Sequence, residues 1–121
     1  MNTQAFTEAM SKSRNGSDGM TRHPLVHDFI MSDGVIECAE AGCWWLMDIL
    51  ATELPRLFGN HTSCSITVKV ADSKAVIEGE FQDGVIGYTR SIDWTDLPDG
   101  DWLFYVGFDG EFYACILLSE Y

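Results

Sequence analysis

Apolar positions along the chain change their period near residue 60, from a helical spacing to alternation. Between Cys43 and Pro55 most residues are Trp, Leu, Met, Ile or Ala, which predicts a helix that ends at Pro55, because proline cannot continue a helix interior. Asp48 and Thr52 lie four residues apart and can share the exposed side of that helix. Apolar side chains fill so much of the remaining circumference that a sheet is expected to cover them.

Alternation dominates after residue 63 and predicts strands. Residues 64–70 alternate apolar and polar side chains, and residues 74–82 do the same after a turn at Asp72–Ser73. The dipeptide Asp83-Gly84 is a strong hairpin signal, so residues 85–94 are expected to return as the next strand. Three consecutive strands joined by short turns predict an antiparallel meander.

The last two predicted strands are apolar on both faces. Residues 102–108 and 112–118 flank Asp109–Gly110–Glu111, a further hairpin sequence, and strands without a polar face are expected in the middle of a sheet. A short extended segment from about Leu25 to Met31 precedes Ser32–Asp33–Gly34, which is turn or N-cap chemistry. The prediction is an α+β two-layer domain, one main helix packed on a mainly antiparallel meander of four or five strands.

The length of 121 residues fits one domain. Residues 11–19 are rich in Ser, Gly and Asn, so residues 1–22 are predicted to form a flexible lead and residues 23–121 the single domain. No run of about 18 apolar residues predicts a membrane span, and the first 23 residues lack the apolar core of a secretory signal. The expected location is the cytoplasm of a host cell.

Four cysteines lie among small or apolar residues without a CxxC pair, at positions Cys38, Cys43, Cys64 and Cys115. In a reducing compartment such cysteines are expected to act as buried hydrophobes. A zinc site built from Cys38, Cys43 and His27 would have no identified fourth ligand, and the acidic residues do not follow the calcium-loop pattern. We therefore predict neither a metal nor a cofactor.

The formal net charge of −12 is unevenly distributed. Residues 1–27 hold two acids and three bases, whereas residues 28–121 hold 17 acids and four bases. Direct nucleic-acid binding is disfavoured because phosphate contacts need Lys and Arg. A negative field steers basic proteins instead, so the expected partner is a basic host protein or complex, itself nucleic-acid-binding, and no membrane.

The acidic residues are densest between Ser91 and Trp102, where four aspartates fall within nine residues without a base. Turn chemistry at Pro98-Asp99-Gly100 explains one of them and leaves the others unexplained. Two further acids, Glu78 and Glu80, are two residues apart on a predicted strand and should project from one face, about 6.5–7 Å apart. That separation is comparable with the spacing of phosphates along a nucleic-acid strand.

These residues define the predicted partner-binding site, in which carboxylates pair with Arg and Lys and tryptophans serve as aromatic anchors. Its members are Glu78, Glu80, Asp83, Asp93, Trp94, Asp96, Asp99, Asp101 and Trp102. The plain alternative is a solvated acidic face that aids solubility. No catalytic residue is predicted, because His23, His27 and His61 match no catalytic motif and are expected to be surface or capping histidines.

Three segments carry a family resemblance: residues 32–50, residues 91–98 and the final Ile116 to Tyr121. In order and sequence they resemble a family of small bacterial and phage proteins of unknown function, over about residues 24–121. The chain departs from that family in its acidic hairpin region and lacks the proline usual before the final Ser-Glu-Tyr. The resemblance implies an origin in phages or other mobile elements and brings no catalytic residues.

Together these observations predict a non-enzymatic inhibitor of a host nucleic-acid-binding defence complex, similar to anti-CRISPR proteins, acting through an acidic, DNA-mimicking surface. One alternative is an accessory protein that acts through an apolar surface, by steric block or altered assembly, and that could form a homodimer. A small enzyme with an unrecognised site is the other.

Overall fold

The computed structural model describes residues 20–118. Most of the predicted flexible lead, residues 1–19, lies outside the described residues, as does the end of the chain from 119 to 121. The last part of that lead differs from the prediction, because Met20–Arg22 form a strand that pairs antiparallel with residues 30–32.

Within residues 20–118, seven strands form one mixed sheet with the order β1-β2-β7-β6-β3-β4-β5. They are β1 (Met20–Arg22), β2 (Phe29–Ser32), β3 (Ser63–Ala71), β4 (Lys74–Phe81), β5 (Ile86–Ile92), β6 (Gly100–Phe108) and β7 (Tyr113–Leu117). The prediction of four or five strands was too low, because β1 and β2 have only three and four residues, too few to show alternation. The sheet is also not purely antiparallel, since β2 pairs with β7 in parallel.

The helical segment between β2 and β3 begins at the predicted N-cap. The Ser32 hydroxyl accepts a hydrogen bond from the Val35 amide at 3.2 Å and starts α1 (Asp33–Cys38). A π-helical turn (Ala39–Cys43) follows, in which Gly42 has a φ of 134°, a conformation that favours glycine. The chain then forms α2 (Trp44–Glu53), the predicted main helix, and the short α3 (Pro55–Phe58).

The hydrophobic core lies between these helices and one face of the sheet. The alternation predicted for β3 and β4 is confirmed at the positions expected to face inward, which are buried: Cys64, Ile66, Val68 and Val70 on β3, and Ala75, Ile77, Gly79 and Phe81 on β4. Strands β7 and β6 are third and fourth of seven, which confirms their central placement. The helices supply Leu46, Met47, Leu50, Leu54 and Phe58 to the core, opposite Ile66, Val68, Ile77, Phe104 and Val106 of the sheet.

The opposite, open face of the sheet changes character across its width. Strands β3 and β4 show Ser, Thr, Lys and Glu there, whereas β6 and β7 show apolar residues that are half-buried or exposed. Leu103 is 39% exposed on this face. The apolar pattern on both faces of the central strands therefore reflects a core on one side and an open apolar surface on the other. Among the described residues, no helix has the length and apolarity that crossing a membrane would require.

Candidate functional site

The predicted site residues other than Glu78 and Glu80 fall at two ends of the sheet, which the strand register defines. Ala71 pairs with Lys74 at the β3–β4 turn, and Ala75 pairs with Ile92 where β5 ends. Strand β6 begins at the same end, because Gly100 pairs with Val70. Five exposed aspartates meet there, and with Trp94 they form what we call the acidic end: Asp72, Asp93, Asp96, Asp99 and Asp101.

The loop from Asp93 to Asp99 is fastened to the end of the sheet. The Thr95 amide donates a hydrogen bond to the Ser73 carbonyl at 2.8 Å, and the Thr95 hydroxyl accepts one from the Leu97 amide at 3.1 Å. Both side chains are buried, with Leu97 in the hydrophobic core. The acidic residues on this loop are therefore presented from a fixed backbone.

The two tryptophans that were predicted as anchors differ in their surroundings. Trp94 is 70% exposed at the acidic end. Trp102 is half-buried against the core, and its indole Nε1 donates a hydrogen bond to the Pro98 carbonyl at 2.9 Å. Trp94 is thus displayed to solvent, whereas Trp102 supports the loop from beneath.

Glu78 and Glu80 project from the open face, as their spacing predicts, but they do not join the acidic end. Glu78 binds the Lys69 ammonium at 2.7 Å. That hydrogen bond, together with the charge of Glu78 and then of Asp101, raises the pKa of Lys69. Glu80 pairs with Ser65, four residues along β3 from Lys69, which corresponds to about 13 Å.

Asp83 lies in the β4–β5 turn, at the other end of β4 from the acidic end. Its carboxylate accepts a hydrogen bond from the Val85 amide at 3.0 Å, as the predicted hairpin requires. Its other oxygen is 4.0 Å from Nε2 of His61, whose ring stacks on Phe81. The structure therefore brings four of the predicted carboxylates together at the acidic end and separates Glu78, Glu80 and Asp83 from them.

His23 has a structural role that sequence reasoning identified only in part. Its ring is 1% exposed, and Nδ1 accepts hydrogen bonds from the Leu25 and Val26 amides, both at 3.1 Å. Because Nδ1 is an acceptor, Nε2 carries the proton and donates a hydrogen bond to the Asp48 carboxylate at 2.7 Å. The expected capping role is confirmed, whereas a surface position is not.

The cysteines are buried, as expected. Burial, and then the neighbouring Cys38 and Cys115 thiols, raises the pKa of Cys43, while burial and then Glu80 raise the pKa of Cys64 to about 12. Such thiols stay protonated and unreactive at neutral pH. His27 is exposed and so does not share the interior with Cys38 and Cys43. Residues 20–118 contain no group of three or more His, Cys, Asp or Glu side chains that could hold a metal ion.

Asp72 is the site residue that sequence reasoning missed. It was assigned to a turn, and both turn residues do have positive φ, 54° for Asp72 and 62° for Ser73. Its position beside the loop of Asp93 to Asp99 follows only from the order of strands β6-β3-β4-β5, which carries that loop across the β3–β4 turn. The sequence offered one sign of this role: Asp72 is a carboxylate in the turn between the alternating segments 64–70 and 74–82.

The fold is that of a two-layer α+β domain, with helices on one sheet face and an open face opposite. Comparison with known proteins places the chain in a family. The model of a family of unknown function (DUF6876) matches residues 6–121, so the chain belongs to that family. No curated protein and no solved structure matches the chain.

Proposed function

We propose that this protein is a non-catalytic inhibitor whose acidic end binds a basic, nucleic-acid-binding host defence complex, as anti-CRISPR proteins of phages and mobile elements do. The observation that carries the proposal is the arrangement of the acidic end, where five exposed aspartates share one end of the sheet with a highly exposed tryptophan. Such a surface pairs with arginines and lysines that would otherwise contact phosphates. The inhibitor acts by occupying the nucleic-acid groove.

The fixed loop backbone supports this function. Contacts of Thr95, Leu97 and Pro98 hold the loop before any partner arrives, so binding costs little conformational entropy there. Two bases lie nearby, Lys69 and Lys74, and Lys69 is engaged by Glu78. The five aspartates therefore exceed the local bases and leave the end strongly negative.

Trp94 supports it as well. An indole that is 70% exposed offers a large apolar surface for a partner to cover, and tryptophan is enriched among residues that dominate binding energy. Carboxylates around it would direct the approach of a basic partner and set the salt dependence of binding. The contributions of Trp94 and of the carboxylates to partner binding can therefore be measured separately.

The test of the charges compares two variants of equal net charge. One carries Asp93→Asn, Asp99→Asn and Asp101→Asn at the acidic end, and the control carries Asp28→Asn, Glu40→Gln and Glu111→Gln, three exposed acids elsewhere. Against a purified CRISPR effector complex, we expect affinity to fall about tenfold or more in the first and less than twofold in the control. Equal losses would show that net charge alone is responsible.

Trp94→Ala tests the anchor. We expect inhibition and binding to weaken about 30-fold with an unchanged unfolding midpoint, because the side chain is exposed in the free protein. Double-stranded DNA should displace the wild-type protein from the complex, and binding should weaken as salt is raised. The proposal would be refuted if DNA did not displace the protein and the Trp94→Ala variant bound as tightly as the wild type.

The open face favours a second candidate, an accessory protein that binds through an apolar surface. Leu103 is 39% exposed there, beside half-buried Tyr105 and Ile116. A partner or a second copy held by this surface would resist high salt, since apolar contacts are not screened. Leu103→Lys should then abolish binding, whereas the substitutions at the acidic end should not.

A further inference from the structure

The open face contains an apolar slot of about 320 Å³ at the end of the sheet opposite the acidic end. Gly107 and Ala114 pair across β6 and β7 and form its floor, because neither has a large side chain. A Cβ atom on Gly107 would lie 3.3 Å from the Tyr105 ring and narrow the slot. The walls and rim are formed by Tyr105, Phe112, Ile116 and Asp109.

Asp109 supplies a fixed negative charge at the rim. One carboxylate oxygen accepts hydrogen bonds from the Phe112 amide at 2.8 Å and the Glu111 amide at 2.9 Å. These two bonds, that of Phe112 first, lower the pKa of Asp109, so it remains ionised at neutral pH. Both bonds use the same oxygen, Oδ1, and the side chain is exposed.

We propose that this slot binds an arginine side chain of the basic partner protein. The aliphatic stem of arginine fits an apolar channel, and its planar guanidinium can stack on an aromatic ring while it bonds a carboxylate. An apolar side chain would cover the rim carboxylate without supplying a counter-charge, and an acidic one would be repelled by it. The inference rests on the proposed function only for the basic character of the partner.

The Phe112 ring already makes one contact of this kind within the chain. The guanidinium carbon of Arg22 lies 5.3 Å from the centroid of the Phe112 ring, at cation–π distance. Arg22 adds one positive charge near the slot, whereas Asp109 and Glu111 add two negative charges in the β6–β7 turn. The local balance therefore still favours a cation, within a chain whose net charge is −12.

The test uses a small probe, the blocked tripeptide Gly-Arg-Gly, titrated into ¹⁵N-labelled full-length protein. We expect saturable shifts of the Gly107 and Ala114 amides, and none with the tripeptide that has neutral citrulline in place of arginine. Asp109→Asn keeps an oxygen for the two backbone amides but removes the charge, so it should weaken binding about fivefold or more. Glu40→Gln, which removes one negative charge from an exposed position away from the slot lining, is the matched control and should change affinity less than twofold.

The outcomes separate this inference from the proposed function. Shifts confined to the Trp94 indole and the acidic end, or equal affinities of wild type and Asp109→Asn, would overturn the slot as an arginine site and leave the acidic end untouched. Slot shifts that respond to Asp109→Asn would support the slot, even if the acidic-end variant bound the host complex normally and so refuted the proposed function.

Discussion

Aspartates at the two ends of the sheet lie in different settings, although the sequence around them is similar. In the β4–β5 and β6–β7 hairpins, the carboxylates of Asp83 and Asp109 accept backbone hydrogen bonds and stabilise the turns. At the acidic end the loop is held instead by Thr95 and by the Ser73 carbonyl. Within residues 20–118, the carboxylates of Asp93 and Asp99 accept no hydrogen bond and are exposed.

This difference shows how a turn residue becomes available for recognition. A carboxylate that closes its own turn has one oxygen engaged by backbone amides and keeps the other, as Asp109 does, whereas one beside a turn closed by other groups keeps both oxygens for a partner. We call the opposite end of the sheet, which contains the β4–β5 and β6–β7 turns, the hairpin end; it is rich in aromatic rings. Phe58 contacts three of them edge-on, with centroid distances of 5.4 Å to Phe81, 6.4 Å to Phe108 and 5.1 Å to Tyr113.

The largest expected effect comes from removing the centre of that aromatic cluster. Phe58 is fully buried, so Phe58→Ala should lower the free energy of unfolding by about 3–5 kcal/mol. Because Phe108 borders the slot, arginine binding should weaken too, while binding at the acidic end persists. Leu57→Ala is the control in a neighbouring residue that is 42% exposed, and should cost about 0.5 kcal/mol. Urea unfolding measures both, and similar losses would contradict this account of the hairpin end.

At the acidic end, Leu97 has the corresponding role. Leu97→Ala removes the apolar side chain that fixes the loop to the core, and should lower the free energy of unfolding by about 2–3 kcal/mol. We also expect about tenfold weaker binding of the host complex, because the loop must then be ordered on binding. Val85→Ala truncates an exposed aliphatic residue at the hairpin end and serves as control. Unchanged affinity in Leu97→Ala would mean that the loop does not depend on this contact.

The smallest expected effect comes from a hydrogen bond that joins the sheet to the main helix, between the two ends. Tyr88 on β5 donates a hydrogen bond to Glu53 of α2 at 3.0 Å, and Tyr88→Phe should cost about 1 kcal/mol at neutral pH. Burial first, then this hydrogen bond, raises the pKa of Tyr88 from 10.0 to about 12. Tyr88 therefore keeps its proton to a higher pH in the folded state than in the unfolded state.

The sign of the pH dependence follows from that retention. The contribution of Tyr88 is fully present below pH 10 and is lost as pH rises toward about 12, because the unfolded chain releases its proton first. Urea unfolding at neutral and at alkaline pH should show that the free energy of unfolding falls less with rising pH in Tyr88→Phe than in the wild type. Tyr113, whose pKa burial also raises, accounts for part of the loss that remains. Equal losses in both proteins would contradict the assignment to Tyr88.

Local sequence signals predicted most of the fold. Ser32 as N-cap, the main helix, the Asp83-Gly84 hairpin and the alternation of β3 are each fixed by residues close together in the chain. The two first strands were not predicted as such, because they have only three and four residues and β2 pairs with β7 more than 80 residues later in the chain. Pairings over such separations leave no trace in local periodicity.

The candidate site followed the same division. The sequence showed that Asp93, Asp96, Asp99 and Asp101 are close together, since they share one short loop. It could not show that Asp72 joins them, that Lys69 engages Glu78, or that Glu80 belongs to another part of the sheet. Those relations depend on strand order and register rather than on spacing.

By itself the sequence determined the chemistry of this protein: a strongly negative chain, thiols suited to burial, and strands whose side-chain alternation assigns one face to the core. The tertiary structure decided which of those groups meet. Packing placed Trp102 inward and left Trp94 outward, and the order of the strands gathered five aspartates at one end of the sheet. The physical reason is that side-chain type and periodicity are local properties, whereas the environment of a charge or an aromatic ring is set by residues distant in the chain.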